Sequence, residues 1–429
     1  MITRSVLFSG SLLLIVILIG CSTSSNKPSE EEIRVEYLVN NTSDISIDPN
    51  NKDYADLEIL GNSIGDARVV TLGEATHGEG NIFEAKTRVA EYLIEEKGFE
   101  VLVFESPLYD IHRAIQNIEQ GENAEDNLKN SIYSIWTNAN EFAPMIELLK
   151  DKISTGSLII EGMDSDFFSL APLSLVDDLK SALSNSSIDF QSSNWQTFED
   201  LLQNLVEYKW QQTAITEAEK AIFDDVLQDI KSEEIDLFWE QMILSIENEA
   251  ERRWIAKNGG PSNSTGGLRD LQMGENLIWI AEELHPSKKI IVWAANVHLA
   301  RDMSDIVAPE DPDFSFADFE TAGKVAGQYF EDELFTINFT GLTGNWARWF
   351  DSNPSPVTLS STGSIEYLLG ETGRDHTFIN LRDLSDEGNW LSQRLLAKPF
   401  GYVELEANWP EVTDAFFFVK TITPVSGNE

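Results

Sequence analysis

The chain has 429 residues, of which 42% are hydrophobic and 10% aromatic, which is enough apolar material for a large core and excludes disorder as its main state. Lysine and arginine number 30 against 73 aspartate and glutamate residues, and the formal charge of -43 argues against nucleic acid or an anionic membrane surface as a partner. The single cysteine, Cys21, excludes an intrachain disulfide and a cysteine-based zinc site.

The first 20 residues have the pattern of a secretory signal. An apolar run over residues 6–19 is shorter than the roughly 20 residues needed to span a bilayer, and a glycine precedes Cys21 as in the lipobox of bacterial lipoproteins. We therefore expect a lipoprotein signal peptide over residues 1–20, a lipid-modified Cys21 and a polar tether over residues 21–45. This predicts a protein of the bacterial cell envelope, anchored to the membrane by its lipid. An uncleaved anchor helix, or a signal without lipid, is the alternative.

Residues 46–429 are predicted to form one continuous α/β domain. Residues 67–73 form a short apolar run, residues 81–97 carry apolar side chains at helical spacing, and residues 99–104 form a second apolar run. A strand, a helix and a strand in this order favour a right-handed crossover and a parallel strand pair. Further strands are predicted at residues 157–161, 289–294, 334–339, 377–381 and 415–420. The sequence therefore predicts a mainly parallel sheet flanked by helices.

Residues 170–256 are long, acidic and periodic at helical spacing, which predicts a helical insertion in this domain. The insertion either caps the carboxyl edge of the sheet, where an active site would lie, or adds a further layer of packing helices. Residues 258–267 are rich in Gly, Ser and Asn and predict a loop, which is either the mobile edge of a lid or an ordinary surface loop.

Polar side chains follow four of the predicted strands. His77 comes after the first strand, Glu105 closes the second, Asp164 follows the third and His298 follows the fourth. Because the carboxyl ends of parallel strands meet at one edge of a sheet, we expect these side chains to converge. Of the other histidines, His112 and His285 are predicted to be structural. His376 has no assigned role.

His77 is the candidate general base. A carboxylate beside its imidazole would fix the tautomer and raise the basicity of the ring, which suits removal of a proton from water. Both Glu74 and Glu105 are candidates for that carboxylate. On the following helix, Lys86 and Arg88 either stabilise negative charge on a substrate or belong to a solvated face paired with neighbouring glutamates.

The sequence has no Walker loop, and its single Gly-x-Ser-x-Gly pattern, residues 61–65 (GNSIG), precedes the first predicted strand instead of following a strand as a nucleophile elbow does. Serine-hydrolase and P-loop chemistry are therefore disfavoured. A metal site is an alternative, because the side chains at the predicted edge are of the right ligand types, although no His-Glu-x-x-His signature is present. We predict no cofactor.

Several segments resemble, in order, the sequence blocks of the erythromycin esterase family of bacterial hydrolases. They are residues 72–78 (LGEATHG), 84–88 (EAKTR), 103–106 (VFES), 136–137 (WT), 162–164 (GMD), 269–276 (RDLQMGEN), 292–301 (VWAANVHLAR) and 326–328 (AGQ). The similarity runs from about residue 63 to residue 418, so it covers nearly all of the predicted domain.

The resemblance implies a metal-independent hydrolase in which His77 activates water for attack on a macrolide lactone, with antibiotic resistance as the consequence. The family's acidic active-site residues match Glu74 and Glu105, and its basic residue on the following helix matches Lys86. The second histidine of its late sequence block matches His298. The side chains expected to contact the substrate are those of Lys86, Arg88, Asp164 and Asn296.

One position departs from the family pattern. The late block reads His-Asn-x-His in macrolide-inactivating members, and Ala295 stands at the first of these places. The first hypothesis is therefore an envelope lipoprotein that hydrolyses a small-molecule ester or a macrolide lactone. Two alternatives use the same residues: a metal-dependent hydrolase or peptidase, and a non-catalytic lipoprotein that binds a small molecule.

Overall fold

A computed structural model describes residues 27–311 and 314–427 of the chain. The predicted signal peptide and Cys21 lie outside the described residues. Within them, no helix combines the length and the apolar character that crossing a bilayer requires.

The strands form one large sheet and one small ribbon. They are β1 (Val69–Glu74), β2 (Val101–Pro107), β3 (Ile159–Asp164), β4 (Ile290–Ala295), β5 (Leu334–Trp346), β6 (Ser355–Pro356), β7 (His376–Asn380), β8 (Arg394–Ala397), β9 (Leu405–Asn408) and β10 (Ala415–Ile422). The large sheet has the order β3-β2-β4-β1-β5-β10-β7, in which β7 runs antiparallel to β10 and the other neighbours in that order are parallel. The short strand β6 pairs with β5, and β8 pairs with β9 in the ribbon. The predicted mainly parallel α/β fold is therefore confirmed.

Each of the seven predicted strands overlaps a strand of the large sheet. Strands β1, β2 and β4 are buried along their whole length, since helices cover both faces of the sheet, and such strands appear in a sequence as continuous apolar runs. The strands that the sequence did not predict, β6, β8 and β9, are short and lack such runs.

Helices cover both faces of this sheet. They are α1 (Glu30–Asn41), α2 (Glu58–Ile64), α3 (Gly80–Lys97), α4 (Leu108–Glu119), α5 (Ala124–Ser131), α6 (Ser134–Thr137), α7 (Ala143–Thr155), α8 (Ala171–Ala182), α9 (Ser193–Val206), α10 (Glu217–Lys231), α11 (Leu237–Lys257), α12 (Ser262–Trp279), α13 (Asn296–Leu299), α14 (Ala322–Phe330), α15 (Ile365–Glu371) and α16 (Trp409–Val412). A π-helical turn, Ile280–Leu284, continues α12.

Helix α1 lies inside the segment 21–45, for which the sequence predicts a polar tether. Ser29 caps the helix, and Glu32 completes a capping box. Leu38 is buried in a hydrophobic cluster with residues of α15. The tether prediction is therefore wrong for residues 30–41, because the acidic composition of the segment masks one apolar face that packs against the domain.

The insertion is helical as predicted and consists of α8, α9, α10 and α11. Its apolar side chains share one hydrophobic cluster with the face of the sheet formed by Val101, Val103 and Val292, so it adds a packing layer. One end of α11 also reaches the carboxyl edge of the sheet, where Arg252 pairs with Asp166 at 2.9 Å. The loop predicted at residues 258–267 is shorter than expected, because α12 begins at residue 262 after Pro261.

Candidate active site

Four parallel strands end at the same edge of the sheet and carry the predicted polar residues to it. Glu74 is the last residue of β1 and stands opposite Ala295, the last residue of β4. The N–H of Ala295 donates a 2.9 Å hydrogen bond to Glu105 Oε2, which comes from the neighbouring strand β2. Glu74 and Glu105 therefore lie on either side of the end of β4.

Glu74, rather than Glu105, contacts the candidate base. Its Oε1 accepts hydrogen bonds of 2.8 Å from His77 Nδ1 and from the indole Nε1 of Trp136. Glu74 is fully buried, whereas 23% of the His77 side chain is exposed. The carboxylate therefore sets the orientation of the ring and places the proton on Nδ1, which leaves Nε2 as the basic nitrogen.

The backbone at His77 adopts an unusual conformation. Its φ of 62° lies in the left-handed region, which non-glycine residues rarely occupy. The N–H of Gly78 donates to Glu79 Oε2 at 2.9 Å, and its carbonyl accepts from the backbone N–H groups of Ala347 and Val425 at 3.0 and 3.2 Å. These bonds hold the loop in the conformation that directs His77 toward Glu74. Burial, together with the charge of Glu74, raises the pKa of Glu79.

Lys86 neutralises Glu74 and does not reach a substrate. Its Nζ bonds to Glu74 Oε2 and to the carbonyl of Ala294, and lies 4.0 Å from the centre of the Trp293 ring. Burial lowers the pKa of Lys86, although the Glu74 charge opposes this shift. Because the side chain is fully buried, the predicted substrate contact is corrected to an ion pair that supports Glu74.

Arg88 is also buried, but its partners lie away from the site. Its guanidinium donates to Asp56 and to the carbonyls of Ser46 and Asp53, at distances between 2.7 and 3.1 Å. Arg88 therefore fixes the segment before α2 against α3. Its predicted role in substrate binding is corrected, because the acceptors of that segment hold the guanidinium.

Asn296 is the third corrected substrate contact. Its Nδ2 donates to the carbonyls of Phe339 and Pro399 at 2.9 and 2.8 Å, and the side chain is fully buried. A Cβ atom on Gly73 would lie 2.2 Å from its Oδ1, so glycine is needed there for this close approach. Asn296 thus ties the end of β4 to β5 and to the segment after β8.

A second cluster surrounds His298. Its Nδ1 bonds to Asp270 at 2.9 Å, and its Nε2 lies 3.2 Å from Glu105 Oε1. Arg269 donates to the same Glu105 oxygen at 3.0 Å and pairs with Asp164. Strands β2 and β3, α12 and the turn after β4 each supply part of this cluster.

The two carboxylates around His298 determine its charge. Burial alone would lower its pKa, but the negative charges of Asp270 and Glu105 outweigh burial and raise the pKa of His298 to about 10. Burial likewise opposes the ionisation of Glu105, yet His298 and Arg269 hold the pKa of Glu105 well below its usual range. His298 is therefore an imidazolium at neutral pH.

Asp164 positions Arg269. The carboxylate is fully buried and also accepts a 2.8 Å hydrogen bond from the hydroxyl of Tyr133, so it is not open to a substrate as predicted. Arg269 and Asp270 belong to the site although sequence reasoning assigned them no role. Their adjacency on α12, within a block that resembles the family, was the available signal.

The remaining histidines lie outside this cluster. His112 stacks on Phe238 at 3.6 Å, and burial lowers its pKa to about 4. His285 bonds to Glu161 at 2.8 Å, and His376 lies 3.2 Å from the carbonyl of Ile45. Within residues 27–311 and 314–427, no group of three or more His, Cys, Asp and Glu side chains has an arrangement that could hold a metal ion.

A mainly parallel α/β sheet with two histidine–carboxylate pairs at its carboxyl edge is an arrangement suited to acid–base hydrolysis. Residues 94–423 match the family model named erythromycin esterase, and the chain belongs to the erythromycin esterase family. Membership of this family supports a hydrolase that acts on a small molecule.

Known proteins of similar sequence and fold agree with this assignment. The putative hydrolase YbfO of Bacillus subtilis (strain 168) is 26% identical over 437 residues, which cover 96% of each chain. The crystal structure of a succinoglycan biosynthesis protein aligns with a TM-score of 0.74 and 19% identity, over 93% of this chain and 99% of that one. A histidine-to-asparagine mutant of the erythromycin esterase EreC, in its open conformation, aligns with a TM-score of 0.68 and 19% identity. The alignment covers 90% of this chain and 98% of that one. Both structures show the same fold.

Proposed function

We propose that the protein hydrolyses a carboxylic ester or a lactone, with His77 as the general base. The observation that carries this proposal is the 2.8 Å hydrogen bond between His77 Nδ1 and the buried Glu74. It leaves Nε2 of a partly exposed ring to take a proton from water. Water then attacks the carbonyl carbon, and the carbon–oxygen bond to the leaving group breaks. The leaving oxygen receives its proton from the His77 imidazolium.

The second cluster supplies positive charge in this proposal. Arg269 Nη1 lies 3.5 Å from His298 Nε2, and because His298 is itself a cation it does not accept a hydrogen bond from that nitrogen. The N–H groups of Arg269 Nη1 are thus available to the oxyanion that forms when water attacks the carbonyl. Glu105 contacts both cations and positions them.

Replacement of His77 tests this proposal. We expect His77→Asn to lower kcat/KM by about 10² or more, since a positioned general base contributes that much to a reaction. His376→Asn is the matched control, because the His376 ring contacts only a backbone carbonyl among the described residues. Mass spectrometry after incubation with erythromycin, simple lactones and simple esters detects the added water. Parental activity in His77→Asn would contradict the assignment of the base.

The same assay separates the two alternatives. Loss of activity in a chelator, with rescue by one metal, would replace this mechanism with that of a metal-dependent hydrolase or peptidase. Binding of these compounds without turnover would indicate a non-catalytic binding protein. Hydrolysis of simple esters but not of erythromycin would show that the substrate is not this macrolide, in line with Ala295 at the place where the resemblance implies a histidine in macrolide-inactivating members.

We also propose that Cys21 carries a lipid that anchors the protein to the membrane of the bacterial envelope. The support is the sequence pattern of residues 1–21: a short apolar run, a small residue and the single cysteine of the chain.

A further inference from the structure

A cavity of about 420 Å³ adjoins His298. His298 and Asp270 of the candidate site line it. The segment before α14, with Phe314 and Phe319, lines the same cavity. Its volume falls within the range of small-molecule sites in proteins.

The part of the cavity lining that comes from the segment before α14 is aromatic and partly exposed. Phe314 is 44% exposed, and its ring lies 4.8 Å from that of Phe316 and 6.0 Å from that of Phe319. Val297 adds an aliphatic side chain beside His298. Leaving these groups in water costs free energy that an apolar ligand group would recover on binding.

Two glycines keep the cavity free of side chains on the α12 side. A Cβ atom built on Gly266 meets nothing within 4 Å, and one on Gly267 would lie 3.6 Å from Glu320. Glycine in a helix interior is destabilising relative to alanine, so two in succession weaken α12 beside the cavity. Neither residue has the positive φ that would require glycine.

The charges of the cavity wall disfavour an anion. The carboxylates of Asp270 and Glu320 face the cavity together with one cation, the His298 imidazolium. Glu320 pairs with Lys324 at 2.9 Å. The cluster that includes Asp270 has three carboxylates, those of Asp270, Glu105 and Asp164, against two cations, His298 and Arg269. A negatively charged group would therefore lie beside a cluster with an excess of negative charge, whereas a neutral or cationic group would not be repelled.

We propose that this cavity is the substrate subsite of the enzyme and receives a compact apolar group of a neutral or cationic ester. The inference rests on the proposed hydrolysis by His77. It adds that Phe314, Phe319 and the space beside Gly266 set the preference for one substrate over another. Esters with an apolar chain should be preferred to acetates, and esters with a carboxylate in that chain should be poor substrates.

Filling the cavity from α12 tests the subsite. In Gly266→Leu, a side chain would extend into the open space without replacing any group of the two histidine clusters. The measured quantity is the ratio of kcat/KM for 4-nitrophenyl octanoate to that for 4-nitrophenyl acetate, and a second series compares octyl acetate with methyl acetate. We expect the ratio of kcat/KM for the long-chain ester to that for the short-chain ester to fall about tenfold in at least one of the two series. Phe314→Ala should lower the same ratio by removing apolar contact.

Two controls make the result specific. Leu359→Ala removes an apolar side chain that is 84% exposed, and its ratio should stay at the parental value. His77→Asn should lose activity on every ester equally. Unchanged ratios in Gly266→Leu and Phe314→Ala, with His77→Asn inactive, would overturn the subsite while the proposed hydrolysis stands. An active His77→Asn protein would overturn the proposed catalytic base, whatever the ratios are.

Discussion

His298 lies between two carboxylates, and this arrangement decides its charge. Because Asp270 and Glu105 favour the imidazolium, the pKa of His298 is raised to about 10 despite burial. A histidine that stays protonated at neutral pH cannot serve as a general base there. This separates the two histidines at the edge of the sheet and is consistent with the proposal that His77 is the general base.

Replacing Asp270 by asparagine tests the charge of His298. The folded-state pKa, about 10, lies above the unfolded value of about 6.5, so the ion pairs stabilise the fold fully below about pH 6.5 and lose this effect as the pH rises toward 10. The stability difference between the parent and Asp270→Asn should therefore be largest near pH 6.5, where Asp270 is ionised, and should narrow as the pH rises toward 10. Urea unfolding across this range measures it, with Asp66→Asn, at an exposed position, as the control.

The opposite trend, or no dependence on pH, would show that His298 is neutral in the folded protein. A direct check is the NMR titration of the His298 ring. Its pKa in Asp270→Asn should be lower than in the parent, because one of the two neighbouring negative charges is gone.

Arg88 should matter for stability and not for substrate binding. Its side chain is 1% exposed, and its loss would leave the carboxylate of Asp56 and several carbonyls without their partner. We expect Arg88→Met to lower the free energy of unfolding by about 3 kcal/mol or more. KM of the folded protein should be unchanged. A raised KM with parental stability would restore the predicted role in substrate binding.

At the scale of elements, the segment after β10 holds the His77 loop in place. We call residues 423–427 the C-terminal segment. Thr423 accepts a 2.9 Å hydrogen bond from the N–H of Gly80, and Val425 donates to the carbonyl of Gly78 at 3.2 Å. Ser426 accepts from the N–H of Asn140, close to the helix that carries Trp136. The segment thus joins the two loops that bring His77 and Trp136 to Glu74.

A chain that ends at Ile422 should therefore keep its sheet and lose activity. We expect kcat to fall about tenfold or more with a smaller change in KM, since small displacements of a catalytic group carry large rate penalties. A chain that ends at Gly427 is the control. Steady-state kinetics and urea unfolding of both proteins distinguish loss of positioning from loss of the fold. Parental kcat in the shorter chain would show that the His77 loop holds its conformation unaided.

The whole molecule is strongly acidic, and this bears on the proposed lipid anchor. The formal charge of -43 disfavours attraction to an anionic bilayer surface, so in our proposal membrane association depends on the lipid at Cys21. Cys21→Ser should move the protein from the membrane fraction to the soluble fraction. High salt should not release the parent, because its anchor is apolar. A Cys21→Ser protein that stays with the membrane would refute the lipid anchor.

The main sheet was predictable from the sequence because its strands are covered on both faces. Continuous apolar runs, such as that of β2, signal burial without reference to any partner. Helix α1 was not predictable in the same way, since only Leu38 among its twelve residues is buried. The apolar face of α1 is too narrow to stand out from its acidic composition.

The residues of the candidate site also differ in whether the sequence alone could predict them. His77 and Glu74 are three residues apart after a strand, so sequence alone made their contact a candidate. Arg269 and Asp270 reach His298 from another element, and the buried positions of Lys86, Arg88 and Asn296 depend on what packs around them. No pattern along the chain reports those distances.

The sequence by itself therefore determined the class of fold, the edge of the sheet where polar residues gather, and the candidate base. It did so because strand burial and the turn after a parallel strand are local properties. Only the tertiary structure decided which carboxylate orients His77 and that His298 is charged. It also decided which side chains expected to contact the substrate are instead buried and bonded within the protein. These depend on charges and burial contributed by segments distant in the chain, and such interactions exist only once the strands are placed in the order β3-β2-β4-β1.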